Sequence, residues 1–256
     1  MNIQQDYINN IVKKGRRIDG RKPEENRKIV IEKDVINNAE GSARVRIGDT
    51  EVIAGVKMSV GEPFPDTPNE GILIVNAEFS PLASPEFELG PPREDAIELA
   101  RIVDRGIRES KCIDMEKLCI KKGEKVWMVF IDVQPINHDG NLIDASGIAA
   151  IAALLNTKMP EYNEKEERVN YEKRKGNLPV REKPIPVTIA QINDKLVIDP
   201  GREEEDFMAS RITVTTKDDD NICAMQKGGK GGFSIEMLEE AIDLAVKEGK
   251  ARRKML

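Results

Sequence analysis

The chain is poor in the residues that build covalent or metal-bound frameworks. Its 256 residues include three cysteines, Cys112, Cys119 and Cys223, and no C-x-x-C pair. So sparse and odd a set excludes a disulfide framework and points to a reducing compartment, the cytoplasm. A single histidine, His138, leaves no material for a His-based metal site. Long apolar runs are missing too. The longest, residues 142–155, is shorter than a bilayer span and carries Asp144, and the first fifteen residues contain no signal-peptide core. The expectation is a soluble, cytoplasmic protein with no membrane partner and no cofactor. Positive charge is also in deficit. The formal net charge is −6, which excludes a general nucleic-acid glue, so any RNA contact must come from a local basic patch or from a partner.

What is present suffices for a folded core. Apolar residues make up 39% and charged residues 34% of the chain. Lys and Glu dominate the charges, as on a heat-adapted surface. The length allows one large domain or two small ones sharing an interface. Residues 3–13 read as an amphipathic helix with Ile3, Tyr7, Ile8 and Ile11 on one side. Strands are expected at 28–35, 42–47, 51–60 and 72–79, with a hairpin turn at Gly48-Asp49 and an exposed Pro/Gly loop at 61–71. Residues 93–111 form a predicted helix with Ile97, Ala100, Val103 and Ile107 inward. A strand at 126–133 and a buried helix at 142–156 complete a first unit, residues 1–160. The polar stretch 161–184 is the candidate linker. Strands at 187–192, 195–198, 211–216 and 222–226, then a helix from Ser234 to Lys250, make a second and smaller unit, residues 185–256. Strands followed by helices, twice, predict an α+β architecture.

The most pointed local absence lies at the joint of the first unit. His138-Asp139-Gly140-Asn141 is a tight turn opening a helix, and free N–H groups at a helix start can hold a phosphate. Yet no Arg or Lys stands from Val126 to Asn156. The turn has the shape of an oxyanion cradle without the cation that makes binding strong.

Several segments resemble one family. Arg17-Ile18-Asp19-Gly20-Arg21, within residues 17–27, is similar to the R-x-D-G-R opening of the RNase PH superfamily. Residues 90–110, GPPREDAIELARIVDRGIRES, resemble the G-P helix of its exosome branch. DGNLIDASGIAAIAAL resembles the strand-to-helix core, and VIDPGREEED with AMQKGGKGGFSIEMLEEAIDLA the second domain. The resemblance implies the RNase PH fold, a ribosomal protein S5 domain 2-like sheet-and-helix layer with a second, smaller α+β domain. Catalytic members read D-G-G-[ST]-R after the strand, and the Ser or Thr and the Arg hold the attacking phosphate. Here Asn141-Leu142-Ile143 stand in those places, and Leu142 and Ile143 make no charge-assisted bond. Catalytic members also carry Arg-Arg after G-P, where this chain has Arg93-Glu94. Of the family's D-x5-D carboxylates, Asp199 matches the first and Glu205, one methylene longer, the second. This pattern resembles the non-catalytic RNase PH-like subunits of archaeal exosomes. It implies an alternating hexamer with a catalytic RNase PH-like subunit, three copies of each, together with RNA-binding cap proteins and single-stranded RNA.

Each candidate residue has a plainer reading beside the functional one. Arg101, Arg105 and Arg108 share a helix face. They form an RNA-backbone clamp, Arg101 and Arg105 above all, or they form salt bridges with Glu98, Asp104 and Glu109. Asp199 and residues 203–206 offer oxygen ligands for Mg²⁺, but consecutive acids read better as a solvated face, with Asp199 fixing the Asp-Pro-Gly corner. Lys13, Lys14, Arg16, Arg17, Arg21 and Lys22 touch RNA or, the favoured reading, pin the N-terminal segment. The 227–232 glycine loop lacks Walker spacing. His138 reads as a polar turn residue, and Gly147 as a close-packing position. The expectation is therefore a subunit that catalyses nothing itself and supports RNA degradation by a phosphorolytic 3′→5′ exoribonuclease ring. The rivals are a weakly active phosphorolytic nuclease and a protein-only scaffold.

Overall fold

The computed structural model describes residues 3–256. Helix α1, Ile3–Lys13, leads to strands β1 (Ile29–Lys33), β2 (Gly41–Ile47), β3 (Thr50–Gly61) and β4 (Ile72–Ala77). Helix α2 (Glu94–Glu109) and a 3-10 turn, Met115–Leu118, precede β5 (Cys119–Lys121), β6 (Lys125–Asn137) and α3 (Leu142–Asn156). These strands form one sheet in the order β1-β2-β3-β6-β4, with β5 paired to β6 and β4 parallel to β6. Period-2 alternation sets its core face. Along β3, Val52, Ala54, Val56 and Met58 are buried while their neighbours are half-exposed.

After α3 come β7 (Lys158–Asn163), β8 (Arg168–Asn177), β9 (Ile185–Ile192), β10 (Lys195–Ile198), α4 (Arg202–Phe207), β11 (Ser210–Thr216), β12 (Ile222–Gly229) and α5 (Ile235–Arg253). The second sheet runs β10-β9-β11-β12. Its two faces are covered by different helices. Val187, Ile189, Leu196 and Ile198 pack with Ala241 and Ala245 of α5. Ala190, Ile192 and Val197, on the opposite face, pack with Ile8 and Val12 of α1. The N-terminal helix therefore belongs to the core of the second sheet.

Helix α3 has apolar residues all round, and every residue from Leu142 to Leu154 is buried. Such a helix must be covered on all sides. It lies against β2 and β3 on one side and β9 on the other. Gly147 makes the second contact possible: a Cβ there would meet Pro186 Cγ at 2.3 Å.

Three sequence expectations change. Tyr7 is 60% exposed, so the buried stripe of α1 is Ile8 and Val12; the side chain of Ile3 lies outside the described residues. In α2 the buried face is Ala96, Leu99, Ile102, Val103, Gly106 and Ile107, while Ile97 is 48% exposed. The stripe is rotated because α2 also packs on β12. The polar stretch expected as a linker begins as a β7–β8 ribbon. Met159, Tyr162 and Val169 pack against the first core, but the ribbon is otherwise polar and shows little apolar alternation, the signal from which strands are read. Tyr171 Oη donates to Met58 O at 3.1 Å, and Arg174 donates to Ala39 O at 3.1 Å; these bonds hold the ribbon to the first sheet.

Gly147→Val should lower stability by about 1–3 kcal/mol, the usual cost of overpacking. Equilibrium urea unfolding checks it: the midpoint falls while α-helical content in the folded baseline is kept.

Candidate functional site

The turn between β6 and α3 is where the two sheets' connections meet. Gly140 has φ +85°, and a Cβ there would lie 2.5–2.6 Å from backbone atoms of Pro200, Gly201 and Arg202, so only glycine fits. Thr50 Oγ1 donates to Gly140 O at 2.6 Å. Asn141 follows in the left-handed region, φ 55°, as the N-cap of α3. Its amide nitrogen Nδ2 donates to Asp144 Oδ2 at 2.9 Å and to Asp199 Oδ1 at 2.8 Å. Its backbone N–H donates to Glu205 Oε1 at 2.8 Å. The cradle read from the sequence is real, and a carboxylate of the same chain already occupies its first donor.

Asp199 is fully buried, and its carboxylate is held from several sides. Arg27 donates to it through its backbone N and Nε, both at 2.9 Å, and through Nη2 at 2.7 Å. Arg21 Nη1 adds a bond at 3.0 Å. Burial alone would raise the pKa of this carboxyl, but the bonds and charge of Arg27, with Asn141, outweigh it and hold the group well below the usual carboxylate range. Arg17, also buried, forms a two-bond pair with Glu204 and donates to Ile198 O at 2.8 Å and Asp199 O at 2.7 Å. Asp144 binds Arg252 Nη1 at 2.6 Å, Thr188 Oγ1 at 2.7 Å and Thr188 N at 3.1 Å. Arg17 and Arg21 thus pin the N-terminal segment, as expected, but to the corner after β10. The acids at 199 and 203–206 do not converge on one point: Asp199 faces Arg27, Glu204 faces Arg17 and Glu205 faces Asn141.

Beside this network lies a cavity of about 300 Å³, lined by Leu142, Ile143, His138, Glu205, Arg202 and Arg211 with residues of α2 and the loop before it. Leu142 and Ile143 stand where the family resemblance puts phosphate ligands. Arg202 Nη1 lies 2.5 Å from His138 Nε2, and its other amino group pairs with Glu86. Arg211 pairs with Glu98 at 2.8 Å. Burial, then the charge of Arg202, lowers the His138 pKa to about 4, so the ring is neutral. It stacks on Phe87 at 5.4 Å, as a packed turn residue. Burial raises the Glu205 pKa to about 7 against the opposing pull of Asn141 N–H and Arg211.

A separate cavity of about 480 Å³ lies between β4 and α2, and both Arg101 and Arg105 line it. Glu78 and Asp104 line the same cavity; Asp104 binds Arg108 at 2.7 Å, and Glu98 binds Arg211. Among the described residues neither Arg101 nor Arg105 has a carboxylate within salt-bridge distance. Arg108 is a structural residue, since its Nη2 also donates to Leu73 O at 3.1 Å. The roles of Arg27, Arg202 and Arg211 were not read from the sequence. Arg27 closes the R-x-D-G-R segment; the other two carry no local signal, because their partners are about 100 residues away.

The profile of the 3′ exoribonuclease family, domain 1, matches residues 25–160, and that of domain 2 matches residues 183–248. The chain is 52% identical over 256 residues to the exosome complex component Rrp42 of Pyrococcus horikoshii, covering 99% of this chain and 93% of that protein. It resembles a chain in the structure of the Archaeoglobus fulgidus exosome with RNA bound to the active site, at TM-score 0.91 and 48% identity over 98% of this chain and 97% of that one. A chain of an archaeal exosome core gives TM-score 0.87 at 45% identity, over 99% of this chain and 96% of that one.

Glu205 yields a pH prediction. Between its unfolded pKa, near 4.5, and about 7 the native state binds the proton that the unfolded state has released. Stability therefore falls as pH rises through that window. Glu205→Gln keeps an acceptor for Asn141 N–H without the charge. Its urea midpoint should match the parent at pH 5 and exceed it at pH 8, by up to about 3 kcal/mol in unfolding free energy. An equal midpoint difference at both pH values would refute the assignment.

Proposed function

The chain belongs to the 3′ exoribonuclease family, the RNase PH superfamily, and from that membership we propose that it is a non-catalytic subunit of an exosome-type phosphorolytic ring. Its neighbour in the ring is a catalytic RNase PH-like subunit, three copies of each alternating, with RNA-binding cap proteins on the assembly. The full-length likeness to an exosome complex component supports membership of such a complex. No helix among the described residues is long and apolar enough to cross a membrane, which is compatible with the cytoplasmic site of action we assign. Residues 1–160 and 185–256 act as the two RNase PH units, joined through 161–184, with α1 crossing from the first to pack on the sheet of the second.

One observation carries the non-catalytic reading: the first donor of the oxyanion cradle, the Asn141 N–H, is taken by a carboxylate of the same chain. Phosphorolysis needs an inorganic phosphate placed in line with the terminal phosphodiester, and charge stabilisation as that bond breaks. Here Leu142 and Ile143 offer no donor side chain, and Glu205 takes the Asn141 N–H. Asp199 is bound by Arg27, Arg21 and Asn141, so it is not free to act on a substrate. What remains is support. Arg101 and Arg105, one helical turn apart on an open cavity and without a carboxylate in salt-bridge distance among the described residues, present two guanidiniums to the phosphates of single-stranded RNA. The same surface shapes the pocket of the neighbouring catalytic subunit.

Two measurements test this. The purified chain, given RNA and inorganic phosphate, should release no nucleoside diphosphate, and adding a catalytic RNase PH-like partner should restore release; turnover by the chain alone refutes the reading. Arg101→Glu with Arg105→Glu should weaken RNA binding by the assembled ring about 10–100-fold while native mass spectrometry shows the ring intact. Unchanged RNA affinity would leave a protein-only scaffold.

A further inference from the structure

Resting on the reading of Arg101 and Arg105 as a phosphate clamp, we propose that the free edge of β4 is the opposite wall of that site and selects ribose over deoxyribose. Strand β4 closes one side of the first sheet, with β6 as its strand partner. In a parallel ladder alternate residues bond the neighbouring strand. Glu78 N–H donates to Val133 O, so Ile72, Ile74 and Asn76, which share its parity, turn their main-chain groups to β6. The N–H and C=O of Leu73, Val75 and Ala77 point away from the sheet. Leu73 O is taken by Arg108 Nη2 at 3.1 Å. Among the described residues no group meets the outward N–H and C=O of Val75 and Ala77. Both residues line the cavity of about 480 Å³ that Arg101 and Arg105 also line.

The Arg108–Leu73 bond aligns α2 on β4. Glu78, Pro92 and Ala96 meet at the other end of the cavity, so helix and strand run antiparallel. Counting back from Arg108, Arg105 and Arg101 stand about 4.5 and 10.5 Å along the helix axis. Counting on from Leu73, Val75 and Ala77 stand about 6.6 and 13 Å along the strand. Arg105 therefore lies across from Val75, and Arg101 across from Ala77. One wall of the cavity is a row of cations, and the other a row of main-chain donors and acceptors. A nucleotide repeats every six backbone bonds, as two amino-acid residues do, so successive nucleotides match successive outward residues of a strand. RNA answers both walls: its phosphates meet the guanidiniums, and its 2′-hydroxyls, each donor and acceptor, meet the edge. DNA answers only the first. The carboxylates on the cavity leave the clamp positive, since Asp104 is paired with Arg108 and Glu78 is exposed, one residue beyond the strand. An acidic peptide added as a further strand would also face both walls. Arg108 closes the edge at Leu73, however, and two open residues are short for a strand ladder.

The test is binding of a short fluorescent RNA to the assembled ring, without inorganic phosphate so that no strand is consumed. A single 2′-deoxy sugar, and separately a single methylphosphonate, is moved through every position. Two neighbouring nucleotides should respond to both changes, each 2′-deoxy sugar weakening binding about three- to tenfold. In a ring carrying Arg101→Gln and Arg105→Gln the methylphosphonate effect at those nucleotides should vanish and the 2′-deoxy effect should stay. Val75→Pro removes an outward N–H and leaves the bonds to β6 intact, as proline on an edge strand can. It should reduce the 2′-deoxy effect at one of the two nucleotides to less than twofold while the methylphosphonate effect stays. Native mass spectrometry reports whether each variant ring assembles, and the scan on the parent ring decides even where the proline variant does not. Methylphosphonate effects that ignore the arginine variants would remove the clamp itself. A working clamp whose nucleotides show no 2′-deoxy effect would overturn the ribose proposal alone, as would an undiminished 2′-deoxy effect in the Val75→Pro ring. Displacement of the RNA by an alternating Glu-Thr peptide, with no 2′-deoxy effect, would assign the edge to strand addition instead.

Discussion

A single side-chain amide, Asn141 Nδ2, lies between two buried carboxylates, Asp199 at 2.8 Å and Asp144 at 2.9 Å, and the arrangement of the whole chain depends on keeping both of them satisfied. Arg27 and Arg21 serve Asp199 from the N-terminal segment. Arg252, near the end of α5, and Thr188 of β9 serve Asp144. The segment before the first sheet, the helix at its centre and the last helix of the second unit are thereby fixed to one point. Net stabilisation from such a cluster is small, because taking ions out of water costs about as much as their pairing returns. Removing one partner is another matter: an uncompensated buried charge costs roughly 3–5 kcal/mol. The cluster therefore constrains geometry more than it adds stability, and it does so where the two sheets share α3.

The same bonds bear on chemistry. A phosphorolytic centre needs donors that wait for a phosphate and a carboxylate that is available at the moment of transfer. In this chain the Asn141 N–H is bonded to Glu205, and Asp199 to Arg27, Arg21 and Asn141. Asp199, which aligns with the first carboxylate of the family's D-x5-D pattern, has both oxygens engaged. Arg27 also reaches Asp139 O at 2.5 Å and Gly140 O at 3.2 Å, so the guanidinium nearest the cradle grips the turn itself. Arg101 and Arg105, on α2, have no carboxylate within salt-bridge distance among the described residues, whereas the arginines around Asp199 and Asp144 are fully engaged.

Much of this was legible in the sequence because it rests on local pattern. Apolar, β-branched segments and hairpin turns marked β2, β3, β9, β10 and β11, and the uniform apolarity of residues 142–155 marked α3 as a buried helix. The absence of Arg and Lys between Val126 and Asn156 marked the altered cradle. What local pattern does not carry was missed. The β7–β8 ribbon is mostly polar, with few apolar residues against the first core, and so shows little alternation. Helix α4 is six residues long and mostly acidic, which reads as a solvated run; the acids prove to be partners for Arg17 and for Asn141. The inward face of α2 was placed wrongly because β12, more than 100 residues later, shares it. Arg27, Arg202 and Arg211 stand in the same class: each is defined by a partner distant in sequence, and no periodicity encodes that.

The exchange of Asp for Glu at position 205 reads in sequence as half of a lost catalytic pair. The structure gives it a positive reason. The N-terminus of α3 is buried, so its unpaired N–H groups cannot turn to water, and orphan donors at the positive end of a helix dipole favour an anion. Asn141 Oδ1 accepts the Asp144 N–H at 3.4 Å, which leaves the N–H groups of Asn141, Leu142 and Ile143. Glu205 meets the first of them at 2.8 Å. An aspartate on the same backbone would stop about 1.5 Å short, one carbon–carbon bond, and would leave the amide to whatever anion entered the cavity. The extra methylene thus lets the chain's own carboxyl group meet that N–H, at a turn fixed by Gly140 and the left-handed Asn141.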